Sequence, residues 1–347
     1  MLYITKISRN IELGTQTRNK TSFNKNDTSG FLYIRKALRK RGVPKQTRKI
    51  IIESWRMGTR KQYDSYIKRW LHYCKGETNP FAPHINTVLG FLEYLYEQGL
   101  SYTAVGTARS AISCFVRLTG NIDIKDNELI TRFMKGIFQL RPALPRYTST
   151  WDVKTVINYL QKMDTSSLLS LSCKLCMLFL LVTAQRCQTL HTINVSDISI
   201  RSDRIIIRIT SVLKQTRPGV HVPPIILIAF PDNSRLCIVE TLKEYLNRTM
   251  HMRKDKQLLI STVKPHGSVS KQTVGRWIKI TMLKAGIQEY FKPHSTRHAS
   301  TSYALYKGVP LTEIIKAAGW NNSSTFEKFY NKTFSKDTNE LQMSIIK

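Results

Sequence analysis

Apolar residues between positions 54 and 138 recur every three to four residues, the spacing that places them on one face of an α-helix. Polar stretches containing glycine or proline at 76–80 and 98–101 interrupt this pattern. The pattern predicts about four helices that form an all-helical domain over residues 31–140. The three clearest series are Tyr63, Tyr66, Ile67 and Trp70; Val88, Phe91, Leu92 and Leu95; and Val105, Ala108, Ile112 and Phe115.

Two prolines, Pro142 and Pro145, follow this helical region and forbid a continuous helix through it. They predict an extended linker at 141–149 and a second domain at 150–347. At the other end of the chain, residues 1–30 are polar and show no sustained apolar period. This composition predicts a poorly ordered basic tail.

The second domain combines helix and strand patterns. The apolar run at 168–182 predicts a buried helix, because it is short for a membrane span and contains Lys174. Runs rich in β-branched residues at 195–200, 205–209 and 220–230 are separated by polar turns, which predicts a small antiparallel sheet. The expected fold class is therefore mainly α with a small antiparallel β-sheet: a helical domain followed by a mixed α+β domain.

Helical periodicity returns after the predicted sheet, at 237–250, at 271–285 and in a segment that begins near His294. Ser324 and Glu327 have the spacing of a capping box and predict a final helix that carries Phe326 and Tyr330. On periodicity alone, Tyr330 is a core aromatic residue of that helix.

The charge of the chain indicates a polyanionic partner. The 347 residues include 54 lysines and arginines against 23 aspartates and glutamates, a formal charge of +31, while 41% hydrophobic residues suffice for packed cores. The basic run at 35–49 fits a nuclear import signal, an arm on the DNA backbone or a solvated face, and the overall charge favours DNA contact. Candidates for phosphate contacts in the helical domain, each equally compatible with an ordinary solvent-facing charge, are Lys61, Lys68, Arg69, Arg109 and Arg117.

The six cysteines lie mostly in apolar runs, which predicts reduced thiols in an intracellular protein without disulfides. Cys173 and Cys176 form a Cys-x-x-Cys pair, but no second pair stands at zinc-finger spacing, so a buried helix is the preferred interpretation. His294 and His298 have the spacing of a zinc-protease helix, yet Ser295 occupies the position of its essential glutamate. No metal site is expected.

Residues with phosphate chemistry cluster near the end of the chain. His294 and Arg297 are three positions apart and share one helix face, so both side chains can converge on one oxyanion. Trp320 can add a flat wall and an indole donor, and Tyr330 a phenol able to attack a phosphodiester.

Two cations further upstream complete the candidate set. Arg186 follows the long buried helix, and a cation delivered at the end of a buried segment usually meets an anion. Lys214 lies in the turn between the second and third predicted strands, from which a long side chain can reach a neighbouring cleft.

In this order along the chain, these residues resemble the tyrosine recombinases, the phage integrase family. The resemblance covers about residues 50–335. The sequence motifs at 132–138, 144–153 and 318–330 resemble those of recombinases from eukaryotic DIRS-like or Crypton-like mobile elements. Thr189 stands where many bacterial members have an acidic residue, and Trp320 where histidine is commoner. The matching positions are Arg186, Lys214, His294, Arg297, Trp320 and Tyr330.

The resemblance implies DNA strand cleavage and rejoining through a 3′-phosphotyrosine, with Tyr330 as nucleophile, His294 as base and Lys214 as acid. It implies that the two arginines grip the scissile phosphate and that no metal or ATP is needed. The implied partners are double-stranded DNA and further protomers, as a dimer or tetramer on DNA, with no membrane. A nuclear location is expected if the host is eukaryotic.

Two alternatives remain open at this stage. A type IB topoisomerase would use the same tyrosine attack as a monomer, without a second DNA site. A DNA-binding protein captured from a mobile element would have lost catalysis, although the intact candidate residues argue against this. Recombinant product on two-site DNA separates the first alternative from a recombinase.

Overall fold

The computed structural model describes residues 29–214, 216, 218–219, 222–320, 322–330 and 333–334. The chain divides into two compact units, Met1–Leu144 and Pro145–Lys347. This division falls inside the stretch 141–149 for which a linker is predicted. The predicted tail lies almost wholly outside the described residues.

The first unit is built from α-helices around one apolar core. In the core, α3 and α5 pack along each other, and the Trp70 indole donates a hydrogen bond to the carbonyl of Pro80 at 3.0 Å. Val88, Phe91 and Ile112 are fully buried, as their helical spacing predicts. The helices are α1 (Gly30–Lys40), α2 (Lys45–Glu53), α3 (Met57–Tyr73), α4 (Ile85–Glu97), α5 (Tyr102–Gly120) and α6 (Glu128–Leu140).

The basic run at 35–49 is mostly helical, because α1 and α2 contain most of it. Phe31, Ile34 and Leu38 are buried, so α1 presents an apolar face to the core while its cations remain on the outer side. Neither helix is evident from the sequence pattern, because closely spaced lysines and arginines obscure a period carried by few apolar residues.

The second unit holds the remaining elements. Its helices are α7 (Val153–Lys162), α8 (Leu168–Thr183), α9 (Cys187–His191), α10 (Ile238–Thr249), α11 (Lys271–Lys284), α12 (Ser295–Tyr306), α13 (Leu311–Ala318) and α14 (Ser323–Phe329). Its strands are β1 (Ser149–Thr150), β2 (Ile198–Ile200), β3 (Arg204–Ile207), β4 (Ile225–Ile228) and β5 (Thr333–Phe334).

Helix α8 runs through the centre of this unit. Every residue from Leu171 to Leu181 is buried, and α10, α11 and α12 all pack against it. A helix packed on nearly all sides needs no polar face, which explains why Lys174 is its single charged residue. Among the described residues, no helix is long and apolar enough to cross a membrane.

The small sheet is antiparallel in the order β2–β3–β4, with Ile198 opposite Ile207 and Ile207 opposite Ile225. This arrangement confirms the predicted fold class. The strands are shorter than predicted, because Val195–Asp197 forms a 3-10 turn and the third strand begins only at Ile225. A two-stranded parallel pair of β1 and β5 was not predicted, since two residues are too few to show a period.

The end of the chain differs from the predicted final helix in two ways. Asn322 occupies the N-cap position of α14, and Ser324 lies inside the helix with its hydroxyl donating to the Asn322 side chain at 2.9 Å. The predicted capping box of Ser324 and Glu327 is therefore wrong. Tyr330 follows the last helical residue instead of lying within α14.

Candidate active site

His294 and Tyr330 meet directly, although 36 residues separate them in the chain. The His294 Nε2 lies 3.1 Å from the Tyr330 hydroxyl, within hydrogen-bond distance. His294 stands at the N-cap of α12, and the Ser302 hydroxyl of that helix donates to the Tyr330 carbonyl at 2.7 Å. With Nε2 unprotonated, His294 accepts the hydrogen bond from the phenol, the geometry that a proton transfer requires.

Aromatic rings enclose the Tyr330 side chain. Its ring centre lies 4.4 Å from that of His298 and 4.6 Å from that of Trp320. The side chain is consequently 8% exposed, so Tyr330 is a buried aromatic residue and a partner of His294 at the same time. His298, one turn after His294, was not assigned a part in the site from sequence.

Arg297 is the most buried cation of the site, with 1% of its surface exposed. Its two η nitrogens donate to the backbone carbonyls of Ala184 at 2.8 Å and Ala318 at 2.6 Å. Its guanidinium lies 4.4 Å from the centre of the Trp320 ring. Burial and the nearby Arg186 lower the pKa of Arg297 to about 9, which leaves it charged at neutral pH.

Both η nitrogens of Arg297 thus donate to backbone carbonyls of the protein itself. Each η nitrogen retains a second hydrogen, and the buried Nε hydrogen has no partner among the described residues. Binding of two phosphate oxygens by Arg297 stays a prediction.

Trp320 directly follows the end of α13. Gly319 caps that helix with a φ of 66°, a left-handed conformation that glycine adopts without strain. The turn brings the indole back over Arg297, and Trp320 is 8% exposed. Its buried Nε1 hydrogen has no acceptor among the described residues, so the indole keeps a donor for a ligand.

Arg186 reaches the site through the turn between α8 and α9. Ala184 adopts a left-handed φ of 50°, and Gln185 donates to the Ala317 carbonyl at 2.7 Å. The Thr189 hydroxyl donates to the Gln185 amide oxygen at 3.2 Å. Thr189 thus orients Gln185, and Gln185 ties the turn to α13.

Lys214 and a further cation, Lys271, act on the site through their charge. Lys214 is exposed in the connection between β3 and β4, as predicted, and Lys271 is the first residue of α11. Both lower the pKa of His294. Lys271 was not predicted, because nothing in its local sequence distinguishes it from other lysines at helix starts.

The pKa of His294 is lowered from 6.5 to about 4 by loss of hydration and then by Arg297, Arg186, Lys214 and Lys271. His294 is therefore neutral at pH 7 and can act as a base. The sign follows from linkage: the unfolded chain takes up a proton near pH 6.5 that the folded chain refuses down to about pH 4. His294 therefore lowers the free energy of unfolding as the pH falls from 6.5 to about 4.

We expect the Lys214→Met substitution to raise the pKa of His294, because one of the cations that oppose its protonation is removed. Histidine-selective NMR titration of the DNA-free protein measures this shift. Lys284→Met, at an exposed position of α11, removes the same charge and should leave the titration of His294 unchanged. A pKa near 6.5 in the unsubstituted protein would contradict this picture of the site.

Two aromatic residues at the start of the second unit support the His294 segment. The Tyr147 hydroxyl accepts a hydrogen bond from the Lys292 amide at 2.9 Å. The Trp151 indole donates to the Ser295 hydroxyl at 2.9 Å, and both residues are buried. From the sequence, the segment at 144–153 was notable only for its family-like motif. Its contacts with residues about 145 positions away are a property of the fold.

The five cations predicted for DNA contact lie on α3 and α5, which pack against each other. Lys61 and Arg117 are exposed. The other three contact protein groups: Lys68 lies 3.6 Å from the Asp64 carboxylate, Arg69 lies over the Tyr66 ring, and Arg109 donates to the Lys125 carbonyl. Their contacts with DNA stay predictions. Among the described residues, no group of three or more potential ligands could hold a metal ion.

Residues 147–336, more than half of the chain, match the phage integrase family. The chain belongs to the phage integrase family. The matched region contains all six residues predicted for catalysis. A curated relative, the tyrosine recombinase of Thermosipho africanus (strain TCF52B), is 28% identical over 99 residues, which cover 28% of this chain and 31% of the relative.

Solved structures of the same fold extend the likeness to both units. XerH site-specific recombinase bound to its difH substrate in a pre-cleavage complex aligns with a TM-score of 0.59 and 14% identity, covering 92% of this chain and 84% of that one. The Tn1549 transposon integrase in complex with transposon right end DNA aligns with a TM-score of 0.55 and 14% identity, covering 92% and 99%. At these identities the likeness establishes the fold of this family member.

Proposed function

We propose that this phage integrase family member cleaves and rejoins DNA strands at specific sites through a covalent 3′-phosphotyrosine at Tyr330. The observation that carries the proposal is the 3.1 Å contact between the His294 Nε2 and the Tyr330 hydroxyl, one helical turn from the buried Arg297. A base, a phenol and a guanidinium are the groups needed to attack a phosphodiester.

The proposed reaction begins with attack of the Tyr330 oxygen on the scissile phosphorus while neutral His294 takes the phenolic proton. The new bond joins Tyr330 to phosphorus, and the bond from phosphorus to the 5′ oxygen breaks. Lys214 donates a proton to the departing 5′ oxygen. Arg186 and Arg297 supply the positive charge that a metal ion supplies in other phosphoryl-transfer sites.

The phosphotyrosine conserves the energy of the broken bond. A 5′-hydroxyl from a second DNA strand can therefore reverse the reaction and displace Tyr330, which gives strand exchange instead of hydrolysis. Exchange between two sites needs more than one active site, so we propose self-association on DNA. Structures of lambda integrase, which has the same fold, support the proposed self-association: one is a dimer bound to a core site and another is a tetramer bound to a Holliday junction.

The proposed biological context is recombination or integration of a mobile element. This part of the proposal rests on the sequence motifs at 132–138, 144–153 and 318–330, which resemble those of DIRS-like or Crypton-like recombinases. In a eukaryotic host the enzyme would act in the nucleus. The experiment is an assay on DNA with two candidate sites and on supercoiled DNA without them. Recombinant product supports the proposal, relaxation alone indicates a topoisomerase, and binding without either product indicates a captured DNA-binding protein.

Phosphate contacts are expected to dominate DNA affinity because the chain carries a formal charge of +31. The logarithm of the association constant should fall with the logarithm of salt concentration by roughly 0.9 per phosphate contact. With several contacts, affinity should drop by orders of magnitude between about 50 and 200 mM salt, measured by fluorescence anisotropy. Arg117→Gln should reduce the slope by about 0.9 if Arg117 binds a phosphate. A flat salt dependence would contradict nucleic-acid binding.

Tyr147→Phe is expected to slow covalent adduct formation without changing DNA affinity. The substitution leaves the Lys292 amide without its acceptor and loosens the loop that leads into His294. If the poorer positioning of His294 raises the activation free energy by about 1 kcal/mol, the rate falls roughly fivefold. Rates on a nicked DNA substrate measure this, with Tyr159→Phe on α7 as the matched control. An unchanged rate would mean that the hydroxyl of Tyr147 has no part in positioning His294.

A further inference from the structure

Lys174 is the one charged residue on the otherwise uncharged helix α8, and only 5% of its surface is exposed. No atom of the described residues accepts a hydrogen bond from its ammonium group. A buried charge is costly unless an opposite charge or a hydrogen-bond acceptor compensates it. The ammonium nitrogen itself is not one of the buried polar atoms without a partner, so it reaches the space beside α8.

The side chain of Lys174 lines a polar cleft of about 570 Å³ between α8, α10 and the 3-10 turn at Ser234–Leu236. The cleft also contains Arg235, the Ser234 hydroxyl and the Asn247 amide. Its residues are distinct from those that contact Tyr330 or Arg297, so it does not belong to the candidate active site.

The carboxylates in this cleft are already engaged by other cations. Glu240 pairs with Lys243 at 3.0 Å, and Glu244 pairs with Arg248. The pKa of Lys174 is lowered by burial and next by Arg235, while Glu244 opposes them as the last of the three influences. Three cations and two carboxylates thus line one cleft. The carboxylates form ion pairs with Lys243 and Arg248, and among the described residues neither Lys174 nor Arg235 lies within ion-pair distance of a carboxylate.

We infer that this cleft binds a phosphate group, with Lys174 and Arg235 as charged donors and Ser234 and Asn247 as neutral donors. A tetrahedral phosphate offers several acceptor oxygens and up to two negative charges, which matches two cations flanked by a hydroxyl and an amide. The phosphate comes either from a free small molecule or from a DNA backbone segment outside the active site.

Thermal melting of the full chain with and without inorganic phosphate, at constant ionic strength, tests this inference. At ten times the dissociation constant, we expect phosphate to raise the melting temperature by roughly 3–5 °C. Lys174→Met should abolish that increase and should melt higher than the unsubstituted protein in phosphate-free buffer, because a partly desolvated charge has been removed. Lys154→Met, an exposed position on α7, controls for the lost charge and should respond to phosphate like the unsubstituted protein.

Arg235→Gln provides a second variant whose folding is not in question, since Arg235 is exposed. Phosphorus NMR with inorganic phosphate should give at least a tenfold weaker dissociation constant for Arg235→Gln than for Lys154→Met. Titration with duplex DNA distinguishes the source: weaker DNA binding by Arg235→Gln than by Lys154→Met indicates a backbone phosphate, and unchanged DNA binding indicates a free phosphate. If neither cleft variant weakens phosphate or DNA binding relative to Lys154→Met, the inference is overturned.

Discussion

Tyr330→Phe is expected to bind DNA normally and to form no covalent adduct. The substitution removes the one oxygen that the proposed mechanism bonds to phosphorus, while the ring keeps its contacts with His298 and Trp320. A nicked substrate that traps the covalent intermediate gives the readout: the unsubstituted enzyme should yield a denaturation-resistant adduct at the 3′ phosphate. The expected loss is complete within the detection limit.

The same substitution should change the free energy of unfolding little. It removes the hydrogen bond to His294, which contributes about 1 kcal/mol. The fit of a phenylalanine ring in the same enclosure keeps the packing intact. A protein that remains folded and binds DNA but traps nothing therefore separates a nucleophile from a merely structural aromatic residue.

Tyr303→Phe and Tyr306→Phe are the matched controls, because both tyrosines lie on α12, the helix that carries Arg297. Adduct formation should survive in each. If Tyr330→Phe still traps DNA while one of these controls does not, the nucleophile has been misassigned. If the unsubstituted protein traps no DNA on any substrate, the chain is better explained as a DNA-binding protein without catalysis.

Arg297→Lys is expected to reduce cleavage by about 10²–10³, the effect of removing one preorganised donor from a developing charge. Lysine keeps the positive charge but lacks the planar fork that donates to Ala184 and Ala318 simultaneously. The loss should appear in the rate of adduct formation, while DNA affinity, which depends on many cations, changes little.

The structure adds a stability effect to this prediction. Since Arg297 joins the ends of α8 and α13 through two backbone carbonyls, losing one of these bonds should cost about 1–3 kcal/mol of unfolding free energy. Chemical denaturation measures this loss of unfolding free energy. A control variant is needed to separate the loss of stability from the loss of cleavage activity.

Arg253→Lys offers a matched control. Arg253 also binds two backbone carbonyls, those of Gln257 and Leu258, and its guanidinium lies over the Tyr245 ring instead of the Trp320 ring. It should lose comparable stability and retain adduct formation. Equal activity losses in the two variants would show that Arg297 acts through folding alone.

The sequence alone specified the fold class and the six candidate catalytic residues, because the information for both is local. Apolar spacing along α3, α4 and α5 reports a helix face directly, and six residue types in a fixed order carry the family resemblance. Short strands and capped ends were predicted less well: β1 and β5 are too short for a period, and Asn322 caps α14 where Ser324 was expected.

What only the tertiary structure decided is which groups meet. Sequence spacing places His294 and Arg297 on one face, but it cannot show that Arg297 binds the carbonyls of Ala184 and Ala318, or that Tyr147 and Trp151 hold the segment around His294. It also cannot show that Lys174 on an apolar helix opens onto a cleft with Arg235. These contacts join residues between 21 and about 145 positions apart, and a hydrogen bond or a shared cavity across such a distance depends on the packing of whole helices, which no local pattern encodes.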